Sequence, residues 1–456
     1  MRTIRADLVG PIVVFLAAVI TLRRAIRNAP ILSLVPPIIN VSDPAMTMSM
    51  LVDHAHVFAN RPVSGFPVNF QPGNLLRSHS ISTVSHGRLW RALRCNLSSG
   101  VLHPSRLAAV SPLHRDAVHA LIATLSGDGG GVFVLRDALH TAVFTVVVRM
   151  CFGDGVVSDG ELRARGLAAA SRVVRLRRWR WWNHFGGAFR RIIAHILPLI
   201  AARRQQRWRS QIDGSKVDED GSLFRRPYVD SLLDLRVPDD DNDVDDNDGS
   251  DDKRRRQRPL TDHEMAPLVW EFLGATTQTA VQEKLHQELM AAAGDDNDER
   301  LLRDMPYLGA VIQESLRLHP PVLNIVRDVA ANEDEAAGVN EVVRYMMMVG
   351  DVGRDGKAWK DPGEFRPERF LAGGEGEGVG LVPGNKEVRM MPFGVGRRHC
   401  PGVGLGTMHI RCFVAALVRE FEWAPPVEGD AVDMAELDAL FKMMKTPLRA
   451  RITPRP

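Results

Sequence analysis

Cysteine is scarce: 4 in 456 residues, at Cys95, Cys151, Cys400 and Cys412. Their spacing holds no C-x-x-C and no paired pattern, which argues against a disulfide framework or a structural zinc site. A reducing compartment fits this usage. Charge bias is also lacking. Lys+Arg 58 against Asp+Glu 55 gives a net charge of +3, so there is no strong pull toward nucleic acid. No internal repeat is visible. Residues 8–22, LVGPIVVFLAAVITL, carry no charge, yet fall short of the about 20 apolar residues a helix needs to cross a bilayer. Arg2 and Arg5 precede this stretch, and Arg23, Arg24 and Arg27 follow it. No small-residue cleavage site is evident, which disfavours a removed signal peptide. Two readings stand: a retained membrane anchor with its more cationic C-terminal flank in the cytosol, or a buried β segment rich in Val and Ile.

What the chain does have is 45% hydrophobic residues, enough for one large core or two modest ones. We divide it into an N-terminal apolar segment, 1–36, and a single domain, 37–456. Inside that domain residues 238–258, PDDDNDVDDNDGSDDKRRRQR, place an acidic block before a basic one. Such a run buries no apolar surface and reads as a solvated, disordered loop. The rest is mostly helix-patterned. Helices are expected at 87–98, within 161–206, and from a Thr261/Glu264 capping box to about 293 with a kink at Pro267. Two more are expected at 307–319, stopped by Pro320 and Pro321, and at 403–421. Strand-like pieces are few, at 37–42 and 343–349. The fold class is mainly α with a small β portion.

One cysteine lies in a loop that no core needs: FGVGRRHCPG, residues 393–402. Cys400 stands just before a helix expected to begin near Gly402. The helix N-terminus and nearby backbone N–H groups should lower the pKa of a thiolate there. Gly394, Gly396 and Gly402 allow close backbone approach to a flat partner. Phe393 can shield the sulfur, and Arg398 can grip a carboxylate. These features suit a thiolate ligand to haem iron. A lone cysteine would read as a buried side chain in a Gly-rich turn; the full spacing favours the ligand.

The spacing F-x-x-G-x-R-x-C-x-G, filled by Phe393, Gly396, Arg398, Cys400 and Gly402, resembles the haem-binding signature of the cytochrome P-450 superfamily. ESLR at 314–317 resembles its E-x-x-R, FRPERF at 365–370 the segment carrying a second arginine, and WRALR at 90–94 its W-x-x-x-R. FANRP (58–62), LHPSR (102–106), YVDSLLDL (228–235) and MKTPLRA (444–450) resemble plant microsomal A-type members, most of all family eighty-nine, near family seventy-seven. The likeness covers most of the chain from about residue 37.

The resemblance implies a P-450 fold with haem b between I-like and L-like helices and Cys400 as axial thiolate. Trp90, Arg94 and Arg398 would hold propionates, and Glu314, Arg317 and Arg369 would form a buried ion-pair network behind the haem. It implies a monooxygenase acting on an apolar small molecule and dioxygen. Electrons would come from NADPH through a cytochrome reductase. It would lie at the endoplasmic reticulum membrane with the domain facing the cytosol and no nucleic-acid partner. The Arg- and Trp-rich stretch 172–209, with Trp179, Trp181 and Trp182, matches the family's F–G region and suits either a membrane interface or packing on the core. In EFLGATTQTA (271–280), Thr279 matches the family's oxygen-site threonine, while Gln278 replaces its acid and Thr276 a glycine. VQEKLHQELM follows this stretch sooner than in relatives, and the chain between Pro321 and Gly353 has lost the family's usual strand pattern.

Overall fold

A computed structural model describes residues 38–61, 81–82, 84–127, 132–153, 181–212, 227–238, 257–272, 282–291, 302, 304–330, 342–384, 387–427, 429, 432–437 and 442–455. Among them the helices are α1 (Arg88–Gly100), α2 (Ser111–Ser126), α3 (Leu135–Phe152), α4 (Trp181–Ile212), α5 (Tyr228–Asp234), α6 (Asp262–Phe272), α7 (Gln282–Ala291), α8 (Pro306–Leu318) and α9 (Val403–Glu420), with a few shorter turns. α1 and α8 form where apolar side chains recur at helical spacing, whereas α3 is buried nearly all round over residues 142–152. In α1 the buried positions are Trp90, Leu93 and Leu97, one inward stripe, which leaves the arginines at 88 and 91 exposed. The helix expected within 161–206 is α4, which runs from 181 to 212 and contains Pro198. Trp181 and Trp182 open it; residues 161–180, Trp179 among them, lie outside the described residues.

The capping box starts α6. The Thr261 N–H donates to Glu264 Oε2 at 2.7 Å, and the Glu264 N–H donates to Thr261 Oγ1 at 3.3 Å. Pro267 sits inside the helix without ending it. Continuity from α6 to α7 across 273–281, and with it Thr276, Gln278 and Thr279, lies outside the described residues. The first turn of α8 has no cap of its own. Glu288 of α7 supplies one: its two carboxylate oxygens accept from the Tyr307 and Leu308 N–H groups, both at 2.7 Å, satisfying donors that a helix start leaves unpaired.

The β portion is small. Strands β1 (Ile38–Val41), β5 (Asn324–Ala330) and β6 (Val342–Met348) form a sheet in the order β1-β6-β5, with β1 parallel and β5 antiparallel to β6. The strands expected at 37–42 and 343–349 are β1 and β6, while β5 corrects the reading that the chain after Pro321 has lost its strand pattern. The charges that mask the pattern are spent on each other: Asp328 lies directly opposite Arg344, and their side chains pair at 2.7 Å, a favourable cross-strand arrangement. Strands β2 (Val132–Val134), β7 (Phe421–Ala424) and β10 (Arg449–Pro454) form a second antiparallel sheet, ordered β2-β10-β7. The loop expected at 238–258 also needs correction at its ends. Pro238 closes β3 (Arg236–Pro238), and Gln257 opens β4 (Gln257–Pro259), which pairs with it; residues 239–256 lie outside the described residues. A two-residue ladder, β8 (Glu436–Leu437) with β9 (Met443–Met444), completes the set.

Two apolar cores result. The larger joins α1 to α9, with Val118, Val146, Ile200, Leu308 and Leu417 among its members. The smaller lies on the first sheet and includes Leu51, Met347, Val352, Met391 and Val395. The chain leading to Cys400 belongs to the smaller core, and α9 just after it belongs to the larger, so Cys400 sits at their seam. No described helix is long and apolar enough to cross a membrane; residues 8–22 lie outside the described residues.

Within the larger core two histidines meet. His114 of α2 and His409 of α9 are buried, with His114 Nε2 2.6 Å from His409 Nδ1. Burial lowers the His114 pKa from 6.5 to about 4 and pushes His409 well below its usual value, with the neighbouring His114 adding to the shift. Both are therefore neutral in the folded protein at pH 7. Between pH 6.5 and 4 the unfolded chain binds a proton at His114 that the folded chain refuses, so stability falls as pH drops through this window. For His114 the loss amounts to about 2 kcal/mol at pH 5 and about 3 kcal/mol below pH 4. Replacing both residues by leucine should flatten the thermal-stability profile between pH 7 and 5. An unchanged slope would place the acid sensitivity elsewhere.

Candidate functional site

The Cys400 loop is shaped by its glycines. Gly394 and Gly396 have φ of 73° and 70°, left-handed conformations that disfavour any side chain. A Cβ on Gly396 would also lie 2.0 Å from the Leu51 carbonyl oxygen, so the loop backbone presses directly on the smaller core. The Cys400 N–H donates to the Phe393 carbonyl at 2.8 Å, and the Gly394 N–H donates to Met391 at 2.9 Å, closing the loop on itself. The Phe393 ring rests against α9 beside Gly406. Gly402 precedes α9 and directs its N–H to the Cys400 thiol.

The thiol is half-buried and free of any disulfide. Burial raises its pKa above the ordinary value; the Gly402 N–H, Arg94 and Arg61 pull it back only in part. The expectation of a lowered pKa is therefore corrected. The helix-terminus effect is present, but desolvation outweighs it. In the protein alone this thiol is protonated at neutral pH, and a bound cation is what would make it a thiolate.

Around the thiol stands an unusual set of cations. Arg94 of α1 donates to the His399 carbonyl at 2.7 Å. Arg398 is buried and donates to the carbonyls of Ala59, Ile81 and Val84 at 2.9, 3.0 and 2.6 Å, with its guanidinium 4.7 Å from the centre of the Trp90 ring. Arg61 reaches the carbonyls of Ser82 and Arg398 at 3.3 and 3.4 Å. Arg327, from β5, is 2% exposed. It donates only to its neighbour's carbonyl, Val326, at 2.9 Å, and its Nε has no partner. Burial, Arg61 and Arg398 all depress its pKa. No carboxylate among the described residues pairs with Arg327.

A buried guanidinium without a counter-ion is costly. Here one is surrounded by others, beside a buried indole N–H, Trp90 Nε1, that also lacks a partner. The pocket is thus short of negative charge and of hydrogen-bond acceptors. The two carboxylates of a haem supply both, so the residues present fit that group. Sequence reasoning found Trp90, Arg94 and Arg398 and missed Arg61 and Arg327. The available signals were the arginine in FANRP and a lone cation among the apolar residues of NIVRDVA.

Glu314 of α8, with no exposure, holds Arg317 in a bidentate pair at 2.7 and 2.8 Å. Its Oε1 also accepts from Arg369 Nε at 3.2 Å and from the Arg366 N–H at 2.8 Å. Helical i,i+3 spacing brings Glu314 and Arg317 to one face. The two arginines then donate to the carbonyls of Gly353, Pro362 and Asp361, pinning the segment 353–364. Glu375 adds a second carboxylate to Arg369. Trp90, Arg94, Arg398, Phe393, Gly394, Gly396, Gly402 and Cys400 are thus brought together, and Glu314, Arg317 and Arg369 form one network. Thr279 and Gln278 lie outside the described residues.

Comparisons with known proteins agree with this geometry. The Cytochrome P450 family model matches residues 36–453. Cytochrome P450 89A9 of Arabidopsis thaliana is 31% identical over 94% of this chain and 88% of its own length. Cytochrome P450 78A11 of Oryza sativa subsp. japonica is 29% identical over 90% of this chain and 77% of its own. Piperic acid synthase CYP719A37 of Piper nigrum is 26% identical over 92% and 81%. A match spanning nearly the whole domain places the chain in the cytochrome P450 family, the oxidoreductases that carry haem on an axial cysteine thiolate and act as monooxygenases.

Proposed function

We propose that Cys400 is the axial ligand of this haem and that the protein inserts one oxygen atom of dioxygen into an apolar small molecule. Electrons come from NADPH through a cytochrome reductase, at the cytosolic face of the endoplasmic reticulum membrane. The observation that carries the reading is the cationic pocket: Arg327, buried with no carboxylate partner and an unpaired Nε, and the unpaired Trp90 Nε1, beside a cysteine in a glycine-built loop. When bound, the haem supplies the electron-transfer and oxygen chemistry, tuned by the thiolate that ligates it.

The chain's own residues do the rest. Arg61, Arg94, Arg327, Arg398 and Trp90 would hold the propionates. Gly394 and Gly396, with left-handed backbone, would allow the loop to lie close to the group. The Gly402 N–H bonds the sulfur and limits its basicity. Glu314, Arg317 and Arg369 fix segment 353–364 behind the loop. On the distal side the sequence offers the Thr279 hydroxyl to hand on a proton, with Gln278 beside it able to hydrogen-bond but not to titrate.

The test is the difference spectrum of the reduced protein with carbon monoxide. A strongly red-shifted Soret band is the expected result; a band typical of neutral thiol or imidazole ligation overturns the assignment. A haem-binding but catalytically impaired protein is the second reading, favoured by Gln278. Gln278→Glu should then raise product formed per NADPH consumed by several-fold. No gain would show that the missing acid does not limit turnover.

A further inference from the structure

Trp359 is absent from every role above, yet it is among the largest fully buried side chains of the described residues, at 1% exposure. Two guanidiniums lie over its ring: Arg317 at 5.2 Å and Arg389 at 4.4 Å from the centroid. Arg317 is already neutralised by Glu314. Arg389 is not: its one carboxylate contact, Glu387, is 3.9 Å away, with that side chain 69% exposed. A long-range, solvated ion pair contributes little, so Arg389 is held by the ring face together with charge-assisted hydrogen bonds to backbone carbonyls. The link is doubled by hydrogen bonds. Trp359 Nε1 donates to the Arg389 carbonyl at 3.0 Å, and the Arg389 guanidinium donates to the carbonyls of Ala358 and Glu375.

The position of Arg389 gives this contact its meaning. Met390 and Met391 follow it, both buried at 1% exposure. The Met391 carbonyl accepts from Gly394, and the Phe393 carbonyl accepts from Cys400. Arg389 is therefore the root of the cysteine loop. On its other side Trp359 meets Arg317, which belongs to the Glu314 network. We propose that Trp359 and Arg389 are positioning residues: they lock the root of the Cys400 loop to the Glu314–Arg317–Arg369 network and so fix where the sulfur stands relative to the haem. This rests on the reading of Cys400 as the axial ligand.

The mechanism is mechanical. Removing the ring or the cation frees residues 389–391 to shift, Met391 within the smaller core, and the loop closed on them shifts as well. A displaced sulfur would hold the haem less firmly as a ligand. The effect should appear in ligation and haem retention before it appears in global stability.

The experiment uses the full-length haem-loaded protein and four variants: Arg389→Met, Arg389→Lys, Trp359→Leu and Trp359→Phe. Three quantities are measured for each: the fraction of the reduced carbon monoxide complex with the thiolate band, the rate of haem transfer to apomyoglobin, and the thermal midpoint. Arg389→Met and Trp359→Leu should transfer haem at least several-fold faster and convert much of the thiolate band. Arg389→Lys keeps the cation, Trp359→Phe keeps a ring, and both should stay close to wild type in these two readouts. A wild-type rate and band in Arg389→Met overturn the proposal, as does equal loss in Arg389→Lys and Arg389→Met in step with the thermal midpoint. Should Arg389→Met fail to fold, Trp359→Leu against Trp359→Phe decides by the same readouts. A wild-type protein without the thiolate band overturns the Cys400 assignment itself and this inference with it, an outcome distinct from unaffected variants of a protein that shows the band.

Discussion

Cys400→Ser is expected to abolish the thiolate band of the reduced carbon monoxide complex and all monooxygenase turnover, while far-ultraviolet circular dichroism stays essentially unchanged. The reason is local. The side chain is half-buried and makes no disulfide, and the backbone bond from its N–H to Phe393 does not depend on the sulfur. Serine preserves the loop and removes a soft, polarisable ligand. Its alcohol ionises far less readily than a thiol, so it cannot provide the same axial donor. Haem should still enter, because Arg61, Arg94, Arg327, Arg398 and Trp90 remain. Pyridine haemochrome quantitation then separates binding from ligation. Retention of the thiolate band in this variant would eliminate Cys400 as the ligand.

The second large effect is expected at Glu314. Glu314→Gln keeps the shape and deletes the charge that serves both Arg317 and Arg369, all three side chains being at most 1% exposed. Breaking a buried pair by removing one partner costs roughly 3–5 kcal/mol, because the remaining charge is left uncompensated. Denaturant unfolding should show a loss of that order, accompanied by poor haem incorporation on expression. A loss below about 1 kcal/mol would show that Glu375, the other carboxylate on Arg369, neutralises the cluster by itself.

The proximal half of the site was legible in the sequence because its chemistry is local. Phe393, Gly396, Arg398, Cys400 and Gly402 lie within ten residues, and E-x-x-R and W-x-x-x-R each span one helical turn. The helices were legible for the same reason: α1, α6, α8 and α9 announce themselves by apolar spacing, a capping box or terminal prolines. What escaped depends on distant segments meeting. Arg327 reads as an ordinary strand cation until β5 is folded against Arg61 and Arg398. Strand β5 itself was hidden by its adjacent charges Arg327 and Asp328, of which Asp328 is satisfied across the sheet by Arg344, an arrangement invisible along one strand. The raised pKa of Cys400 escaped for a different reason: the sequence shows the helix start that lowers it and not the burial that raises it.

The contacts of Arg398 also carry a temporal consequence. Its three carbonyl partners lie 339, 317 and 314 positions earlier in the chain, and Arg94 reaches His399 across 305. Few closures in a protein of this length span more sequence, and contacts of such separation form late because the intervening chain must first be ordered. On the ribosome the N-terminal walls of the pocket emerge long before the cysteine does. The pocket around Cys400 is therefore completed only once residues 398–400 have been made and have met the segments at 59–94.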